Sequence, residues 1–546
     1  MSSQAVQSEP PRDVSWDDLP PGPWLQRWAR WARWGAWTAV FLSLATFLFV
    51  ALHRLPYPFE LEWLEGGVLQ HVERLGAGAS IYVEPSLDFI PFAYTPLYFH
   101  VSAAAAKVFG GGFFAPRLVS LLASLGVFAL VFAISWRAAR SAFSAGLAAG
   151  LFAATYAASG FWLDLARPDA LFLFFLLLGV YLVWFHPGCA GSLAAGTAFG
   201  LSFLTKQTAL ACVAPLVLYL LVVRRRQGVW IALALIGLIV STTVIYDAAT
   251  HGWYSYYALR LRRGILLETL NWNRLATFWM RDLAVPLGIA LALGLFYFVR
   301  RAPRWSWKAE GLQLALMGSL ILGTWASRLE AYAFTNVNLP AHAAVAILAG
   351  LGTQEALGTA GRATTRRQAG AAIYLCLVWM LQFVGLAYKP AEALPTARDE
   401  RAGRQLVDRL RATDGRVFLP FHPYLLERAG HRPHAHAMGI ADVQRGDAHG
   451  YGRVLTAALD SLIAGRRFAT VVLDDDWLRR QVEREYVMVG RIFTDHRLFR
   501  TVAGTGTKPE FVYVPRPPTE SSDLPGRAPG DHRPPVRPAS PLVNIQ

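Results

Sequence analysis

The sequence contains little charge, little lysine and little cysteine. Only 16% of its 546 residues are charged, whereas soluble globular proteins have about a quarter. Hydrophobic residues make up 54% of the chain and the mean hydropathy is +0.32, so the composition is typical of a membrane protein. The three cysteines, Cys189, Cys212 and Cys376, lie in or beside apolar runs. This placement excludes a disulfide framework and a cysteine-based zinc site.

The basic residues indicate a membrane topology and not a nucleic-acid partner. The chain carries 52 lysine and arginine residues against 37 aspartate and glutamate residues, and only five of the basic residues are lysine. They fall between the apolar runs instead of along one polar face, which argues against the basic patch of a nucleic-acid-binding protein. Loop charge that fixes the orientation of the chain in the membrane explains this distribution better.

Eleven apolar runs approach the length needed to cross the ~30 Å hydrocarbon core of a bilayer. They are residues 35–52, 113–135, 142–163, 170–186, 190–205, 209–223, 230–249, 284–299, 312–327, 338–352 and 371–388. The first run is long and has no small-residue cleavage site after it, which favours a membrane span over a signal peptide. We therefore expect a mainly α-helical, polytopic transmembrane bundle of about eleven spans.

The charge of the loops predicts the orientation of the chain. With eleven spans, the arginine-rich short loops at 137–140, 224–226, 300–308 and 362–367 all lie on one side. The positive-inside rule places that side, and the N-terminus, in the cytoplasm. The segment 251–282 carries five arginines on the opposite side, but long segments report topology less well. We expect a bacterial inner-membrane protein whose other loops face the periplasm.

The chain divides into a membrane domain, a soluble domain and two tails. The membrane domain spans 22–388; its polar first outer loop, 53–112, contains an apolar stretch at 96–110 that predicts an interfacial helix at the outer face. Residues 389–515 predict a small outer-face α/β domain, because an amphipathic pattern at 398–411 precedes short apolar strands at 417–419 and 470–473. The tails 1–21 and 516–546 lack apolar periodicity, which predicts disorder.

The strongest candidate for chemistry is an acidic motif just after the first span. Glu60, Glu62 and Glu65 lie within six residues of one another. In a helix, Glu62 and Glu65 would share a face at a spacing of three and could both point into one cleft. A carboxylate in such a cleft can accept the proton of an attacking hydroxyl. The alternative is an ordinary solvated acidic turn, because charge runs are often solvated faces.

Two further outer loops place charge close to the membrane. In the segment 165–169 a proline separates Arg167 from Asp169, which would open the next helix as a favourable N-terminal acid. At this depth Arg167 requires an anionic partner. Lys206 lies between two short apolar runs. Phosphate binding is a natural role for it, and a lysine that snorkels to the interface is the alternative.

The other membrane-side candidates lie in two more outer segments. One turn contains Arg328 and Glu330, placed to pair with each other, and the amides Asn336 and Asn338 before the next span. Arg262 belongs to an arginine cluster set among aromatic residues. Either group could instead anchor an interfacial helix.

The soluble domain carries its own polar residues. His422, His431, His434 and His436 include a His-Ala-His spacing, but no matching acid signature accompanies it, so a metal site is disfavoured. The aspartate run 474–476 is typical of a turn at the end of a strand.

The ordered set of short motifs resembles the polytopic GT-C glycosyltransferases, the group that includes bacterial aminoarabinose transferases and protein O-mannosyltransferases (the glycosyltransferase family 39 type). The resemblance covers residues 35–388. Its motifs are Glu-Gly at 65–66, Gly-Ala-Ser-Ile-Tyr at 78–82, Tyr-Thr-Pro-Leu-Tyr at 94–98, Ala-Pro-Arg-Leu-Val-Ser at 115–120, Ala-Arg-Pro-Asp at 166–169, Leu-Thr-Lys-Gln at 204–207 and Asn-Val-Asn-Leu-Pro at 336–340.

The resemblance implies a lipid-linked sugar donor, usually a polyprenyl-phosphate monosaccharide, that is used at the outer face with inversion at the anomeric carbon. The chemistry of such a transfer assigns roles to individual residues, because an acceptor hydroxyl needs a base and a departing phosphate needs cations. Catalysis falls to Glu62, Glu65 and Asp169, donor-phosphate binding to Arg167, Lys206, Arg262 and Arg328, and substrate binding to Glu60, Asp88, Tyr94, Tyr98, Glu330, Asn336 and Asn338.

The first loop departs from the commonest GT-C pattern, an Asp-Glu pair, so the base stays open between Glu62 and Glu65. No metal ligands are assigned, and a divalent cation is left open as a cofactor. The expected partners are the polyprenyl-phosphate sugar, the lipid bilayer and an envelope acceptor of lipid, polysaccharide or protein type. The alternative function is a transporter or flippase of a lipid-linked saccharide, but such a protein should hold its ionisable groups near mid-span.

Overall fold

A computed structural model describes residues 17, 19–358, 365–447, 449–517 and 540–545. Within these residues the chain is mainly helical, with one four-stranded sheet near the C-terminus. This architecture confirms the predicted fold class. Most of the two tails predicted to be disordered, 1–21 and 516–546, lies outside the described residues.

The helices and strands are numbered in chain order. The α-helices are α1 Pro23–Arg54, α2 Glu65–Gly76, α3 Leu97–Phe109, α4 Phe114–Ala139, α5 Ala142–Ala154, α6 Asp169–Phe185, α7 Cys189–Thr205, α8 Ala209–Val223, α9 Arg225–Thr250, α10 Trp253–Ser255, α11 Arg262–Thr269, α12 Arg274–Thr277, α13 Val285–Arg301, α14 Glu310–Ser327, α15 Leu339–Leu357, α16 Arg366–Gly385, α17 Ala397–Arg411, α18 Tyr424–Arg428, α19 Ala437–Gly446, α20 Tyr451–Ala464 and α21 Arg479–Glu485. The π-helical turns are Tyr256–Leu261 and Phe278–Ala284, and the 3₁₀ turns are Ala302–Arg304, Thr335–Asn338 and Pro390–Ala393. The strands are β1 Val417–Phe418, β2 Thr470–Leu473, β3 Tyr486–Arg491 and β4 Phe511–Pro515.

Eleven of these helices coincide with the eleven predicted spans: α1, α4 to α9 and α13 to α16. Among the described residues, five helical segments have the length and hydropathy of a membrane span, namely Pro23–Arg54, Phe114–Ala139, Arg225–Thr250, Phe278–Arg304 and Arg366–Gly385. The third run, predicted over 142–163, differs most, because α5 ends at Ala154 and the chain continues in turns to Pro168. That irregular stretch carries Arg167 into the site described below.

Small residues allow the first and third spans to pack closely. A side-chain carbon added at Gly150 of α5 would lie 3.0 Å from the Cα of Val40 in α1, and one at Gly146 would lie 2.4 Å from the ring of Trp37. Interfaces between membrane helices use small residues in this way because they let the backbones approach.

The first loop is fastened to the ends of the spans. Helix α3 matches the interfacial helix predicted over 96–110, and it packs against α2 and α4. The hydroxyl of Thr95, just before α3, donates to the carbonyl of Phe203 in α7 at 2.8 Å. Glu65 is the first residue of α2, so the acidic motif lies at the start of this helix.

The soluble domain is α/β, as predicted. Its strand order is β1-β2-β4-β3, in which β1 and β2 are parallel and the other pairs are antiparallel. The first two strands coincide with the predicted ones at 417–419 and 470–473. Helix α17 matches the amphipathic pattern, and a capping box between Thr396 and Asp399 fixes its start.

The predicted disorder of the C-terminal tail is wrong for its last described residues, 540–545. Ile545 donates its backbone N–H to the carbonyl of Ile492 at 2.6 Å, and the side chains of Leu542 and Ile545 are fully buried. These two apolar side chains join the hydrophobic core beneath α17. Their burial supplies a driving force for packing against the rest of the protein.

Candidate active site

Glu62 is a buried carboxylate with one free oxygen. Its Oε2 lies 3.2 Å from Nη1 of Arg167 and accepts the backbone N–H of Leu64 at 3.2 Å. Its Oε1 has no hydrogen-bond partner among the described residues, and the side chain is fully buried. Burial raises the pKa of Glu62 to about 8, against the lowering effect of Arg167. Glu62 is therefore a stronger base than an exposed glutamate.

Glu65 has the opposite environment, because both of its oxygens are bound. Arg117 donates to them at 3.0 and 2.6 Å, and the backbone N–H groups of Leu61 and Ala166 donate at 2.7 and 2.6 Å. Although burial alone would raise it, Arg117 and these N–H groups hold the pKa of Glu65 below its usual value. A carboxylate with saturated oxygens and a low pKa is a poor general base.

The two carboxylates do not share a helical face, contrary to the spacing argument. Helix α2 begins only at Glu65, so Glu62 lies in the preceding turn, where helical spacing does not apply. The predicted helical spacing is therefore wrong, but both carboxylates still meet the segment before α6, Glu65 through the N–H of Ala166 and Glu62 through Arg167. The alternative interpretation, an ordinary solvated acidic turn, is also wrong, because the side chains of Glu62 and Glu65 are fully buried.

Arg167 joins Glu62 to two aromatic rings. Its Nη2 donates to the hydroxyl of Tyr94 at 3.0 Å, and its guanidinium carbon lies 5.2 Å from the ring centre of Trp162. Such contacts between a desolvated cation and an aromatic face are stabilising. The side chain of Arg167 is 3% exposed. The anionic partner that the sequence requires for it is Glu62.

Asp169 connects three loops. It is the first residue of α6, as predicted, and its Oδ1 accepts Nζ of Lys206 at 2.6 Å and the side-chain amide of Asn336 at 2.8 Å. Its Oδ2 has no hydrogen-bond partner in the part of the chain that the structure describes. Lys206 is thus held in a buried ion pair and does not snorkel to the interface. The predicted convergence of these loops on one side of the bundle is confirmed.

Glu60 is linked to the soluble domain through His422. Nδ1 of His422 is hydrogen-bonded to Oε2 of Glu60, and Nε2 lies 2.7 Å from Oδ2 of Asp474; all three side chains are buried. Although burial disfavours the charged ring, Asp474 and Glu60 raise the pKa of His422 to about 10. Each ring nitrogen of His422 therefore faces a buried carboxyl group, which favours the protonated ring. Asp474 directly follows β2, where the sequence predicts an acidic turn.

The remaining predicted cations form separate ion pairs. Arg262 donates to the carboxylate of Glu330 through Nη1 and Nη2, and Nε of Arg328 donates to Asp282 at 2.7 Å. The predicted pair between Arg328 and Glu330 is therefore wrong, because each finds a partner in the segment around the π-helical turns. Both pairs lie on the same side of the bundle as Asp169, since Asn336 belongs to the same loop as Glu330.

Three predicted substrate residues have other surroundings. The hydroxyl of Tyr98 is bound to the carbonyl of Pro116 at 2.8 Å and to Ser120 at 2.9 Å inside the protein. Asp88 is half-exposed and pairs with Arg432 at 2.7 Å. Packing and surface pairing account for these two residues without a substrate. Asn338 is 1% exposed, and neither of its amide atoms has a hydrogen-bond partner within the described ranges.

The protein was compared with known families and structures. Residues 93–246 match the sequence profile of a family described as dolichyl-phosphate-mannose-protein mannosyltransferase. ArnT from Cupriavidus metallidurans aligns with a TM-score of 0.54 and 14% identity in its crystal structure bound to undecaprenyl phosphate, and with 0.53 and 15% in its apo state. Each alignment covers 87% of this chain and 97% of ArnT. No curated protein sequence matches the chain.

The fold is that of the GT-C glycosyltransferases. This confirms the resemblance drawn from the short motifs and makes the chain a polytopic membrane protein. The segment that matches the family profile, residues 93–246, includes Tyr94, Arg167, Asp169 and Lys206. It begins after the acidic motif, so the distinction of Glu62 from its neighbours rests on geometry alone.

Three residues of this candidate site are absent from the sequence prediction. Arg117, which holds Glu65, lies within a predicted span, and a charged residue in an apolar run is itself a functional signal. The sequence around Trp162 and His422 gives no such signal, because only their contacts in the folded protein, with Arg167 and with Glu60, distinguish them. The sequence predicts for His422 only a disfavoured role as a metal ligand.

Proposed function

We propose that the protein is a glycosyltransferase that moves a sugar from a polyprenyl-phosphate donor to a cell-envelope acceptor, with Glu62 as the base. The observation that carries this proposal is the free Oε1 of the buried Glu62, held beside Arg167. A buried carboxylate with a raised pKa and one unused oxygen is suited to take a proton from a hydroxyl group.

The reaction follows from a single displacement. The hydroxyl oxygen of the acceptor forms a bond to the anomeric carbon, while the bond from that carbon to the phosphate oxygen breaks. The hydroxyl proton passes to Oε1 of Glu62, and polyprenyl phosphate leaves with the electron pair of the broken bond. Attack from the side opposite the phosphate inverts the anomeric carbon.

The departing phosphate requires positive charge, and two cations of the site are candidates. Arg167 and Lys206 are both buried and each already contacts one carboxylate, Glu62 and Asp169 respectively. Charge-assisted bonds to a phosphate are strong and stabilise the charge that develops as it leaves. Arg262 and Arg328 are proposed as further phosphate contacts, each of which would share its charge with Glu330 or Asp282.

The comparisons support a lipid-phosphate donor. One ArnT structure holds undecaprenyl phosphate, and the matched family is described by a dolichyl-phosphate sugar. The short helices α6, α7 and α8 are apolar and begin or end beside Asp169 and Lys206, so a polyprenyl tail could lie along them.

The test is a transfer assay with a panel of radiolabelled polyprenyl-phosphate sugars. Purified protein in membranes is incubated with each donor, and label is followed into lipid, polymer and protein fractions. Transfer from at least one donor is expected. Movement of an intact lipid-linked sugar across the bilayer without transfer would instead establish the transporter alternative.

The pH dependence of transfer should report Glu62. A base acts only when it is deprotonated, so kcat/KM should fall about tenfold for each pH unit below the pKa of the base. Because the pKa of Glu62 is raised to about 8, activity should rise from pH 6 to pH 8 and then level off. A profile that is flat from pH 5.5 upward would contradict Glu62 as the base.

Lys206→Met should reduce donor-dependent transfer by about ten- to a hundredfold, because a charge-assisted phosphate contact contributes roughly 1.5–3 kcal/mol. The variant also leaves Asp169 unpaired in a buried position, so the melting temperature should fall. The double variant Lys206→Met/Asp169→Asn should regain melting temperature but not transfer. Full transfer by the double variant would remove Lys206 from the site. Lys107→Met, at an exposed position on α3, is the matched control.

Reporter fusions should establish the orientation. The positive-inside rule predicts that the loop at Arg224 is cytoplasmic and the soluble domain periplasmic. Alkaline phosphatase fused at residue 400 should be active, whereas a fluorescent protein that folds only in the cytoplasm should be dark there and bright at residue 226. The reverse pattern would place the site at the cytoplasmic face.

A further inference from the structure

The soluble domain touches four consecutive residues of the acidic motif. Glu60 donates its N–H to the hydroxyl of Tyr424 at 3.3 Å and binds His422 through its carboxylate. Ala503 donates its N–H to the carbonyl of Leu61 at 2.9 Å. Nε2 of His436 lies 3.1 Å from the carbonyl oxygen of Trp63. The fourth contact is made to Glu62 by Gly504. The turn that carries Glu62 is thus fastened to the soluble domain on both sides of that residue.

Gly504 lies directly against the Glu62 side chain. A carbon added at Gly504 would lie 3.0 Å from Cγ and 3.5 Å from Oε1 of Glu62, and 3.3 Å from the ring of Trp162. Its φ of +65° is in the region that favours glycine. Both facts favour glycine here, because a side chain would have to displace Glu62 or Trp162 by a few tenths of an ångström.

The loop around Gly504 is closed by its own hydrogen bonds. The N–H of Thr501 donates to the carbonyl of Thr507 at 3.0 Å, and the N–H of Thr507 donates to the hydroxyl of Thr501 at 2.9 Å. We call residues 501–507 the cover loop. Its closure is independent of the membrane domain, so the cover loop reaches Glu62 as a preformed unit.

We propose that the cover loop is part of the active site, where it excludes water from Glu62 and positions the carboxylate against Arg167. This inference rests on the proposed function and deepens it. Gly504 and Thr501 are positioning residues, because they act through Glu62 and not on the substrate. The soluble domain then forms one wall of the catalytic site.

Exclusion of water has a defined effect on Glu62. Burial is the main cause of its raised pKa, while Arg167 lowers this pKa and the neighbouring carboxylates Glu60 and Glu65 raise it. Displacement of the cover loop would hydrate Glu62, bring its pKa down towards that of an exposed glutamate and weaken it as a base. The soluble domain also places His422 and Asp474 nearby: His422 contacts Glu60 through one ring nitrogen and Asp474 through the other.

Three variants test the role of the cover loop. Gly504→Ala adds a carbon against Glu62, and Thr501→Val removes the hydroxyl that closes the loop without adding bulk. Gly430→Ala is the matched control, because Gly430 also has a positive φ, +84°, lies in the same domain and has nothing within 4 Å of an added carbon. All three are measured as intact protein in detergent or membranes.

Two measurements are made on each variant. The first is the rate at which a water-soluble carbodiimide labels Glu62 at pH 5, read from peptide masses; it needs no substrate. The second is the pH profile of transfer. We expect Glu62 to be labelled several times faster in Gly504→Ala than in the wild type. The kcat of this variant should fall tenfold or more, while its KM for the donor stays within threefold of the wild-type value. The acid limb of its pH profile of transfer should move to lower pH. Thr501→Val should change in the same direction by less, and Gly430→Ala should match the wild type.

Each outcome decides one question. Wild-type labelling and an unshifted pH profile in Gly504→Ala and in Thr501→Val would overturn the role of the cover loop, and Thr501→Val alone decides it if Gly504→Ala does not fold. Absence of transfer from every donor by the wild type would overturn the proposed function, while the labelling rates would still decide whether the loop encloses Glu62.

Discussion

Glu62→Gln is expected to lower transfer by about 10²- to 10⁴-fold, the usual contribution of a general base. The amide has the same shape but cannot take the proton of the attacking hydroxyl. Donor binding should change little, because the amide oxygen can still accept from Arg167 and from the N–H of Leu64. The loss should therefore appear in kcat, measured with a saturating concentration of the radiolabelled donor.

The fold should tolerate Glu62→Gln for an electrostatic reason. With its pKa raised to about 8, Glu62 is largely protonated at neutral pH, so a neutral amide changes the charge of the folded protein little. Its NH₂ group would occupy the place of Oε1, where no described residue accepts or donates. Glu84→Gln, at an exposed position in the same loop, is the matched control. Full activity of Glu62→Gln would remove Glu62 from the chemistry.

The general plan of this molecule could be predicted because it depends on local composition. Each span is an apolar run, and charged residues that interrupt or end these runs mark the loops. Arg167, Asp169 and Lys206 were found in this way, and the structure brings them together. Their placement on one side follows from parity, since loops after odd-numbered spans lie on one side of the membrane.

The pairing of these charges could not be predicted, because it depends on contacts between distant parts of the chain. Glu330 lies two residues from Arg328 but pairs with Arg262, which is 68 residues away. Glu60 pairs with His422 across 362 residues. Local spacing favours the nearest opposite charge, whereas the fold selects the partner that burial and geometry allow.

The choice between Glu62 and Glu65 illustrates the same limit. Their spacing of three predicts equivalent positions on one helical face, and only the start of α2 at Glu65 separates them. What differs is the partner of each carboxylate: Arg117 saturates Glu65, while Arg167 leaves one oxygen of Glu62 free. Arg117 lies in the apolar run of α4, where a sequence pattern gives no sign of which carboxylate it will meet.

Glu65→Gln is expected to destabilise the protein, in contrast to Glu62→Gln. The pKa of Glu65 is held below its usual value, so this carboxylate is ionised at neutral pH and forms a fully buried ion pair with Arg117. Removal of one partner of such a pair costs about 3–5 kcal/mol, because it leaves a buried charge without compensation. The melting temperature of the purified protein should fall well below that of Glu84→Gln.

The sign of the pH dependence distinguishes this role from a catalytic one. A carboxylate whose folded-state pKa is depressed stabilises the protein above its unfolded pKa and loses this contribution as the pH falls through the folded value. The contribution of Glu65 should therefore persist from neutral pH down to about 4, near the pKa of an exposed glutamate, and the difference in melting temperature between the wild type and Glu65→Gln should shrink only as the pH falls below that value. A double-mutant cycle that combines Glu65→Gln with Arg117→Met should show a coupling free energy of about 0.5–3 kcal/mol in unfolding. The double variant should therefore be more stable than the sum of the two single losses predicts. Additive losses, or a Glu65→Gln protein that melts like the wild type but does not transfer, would instead return Glu65 to the chemistry.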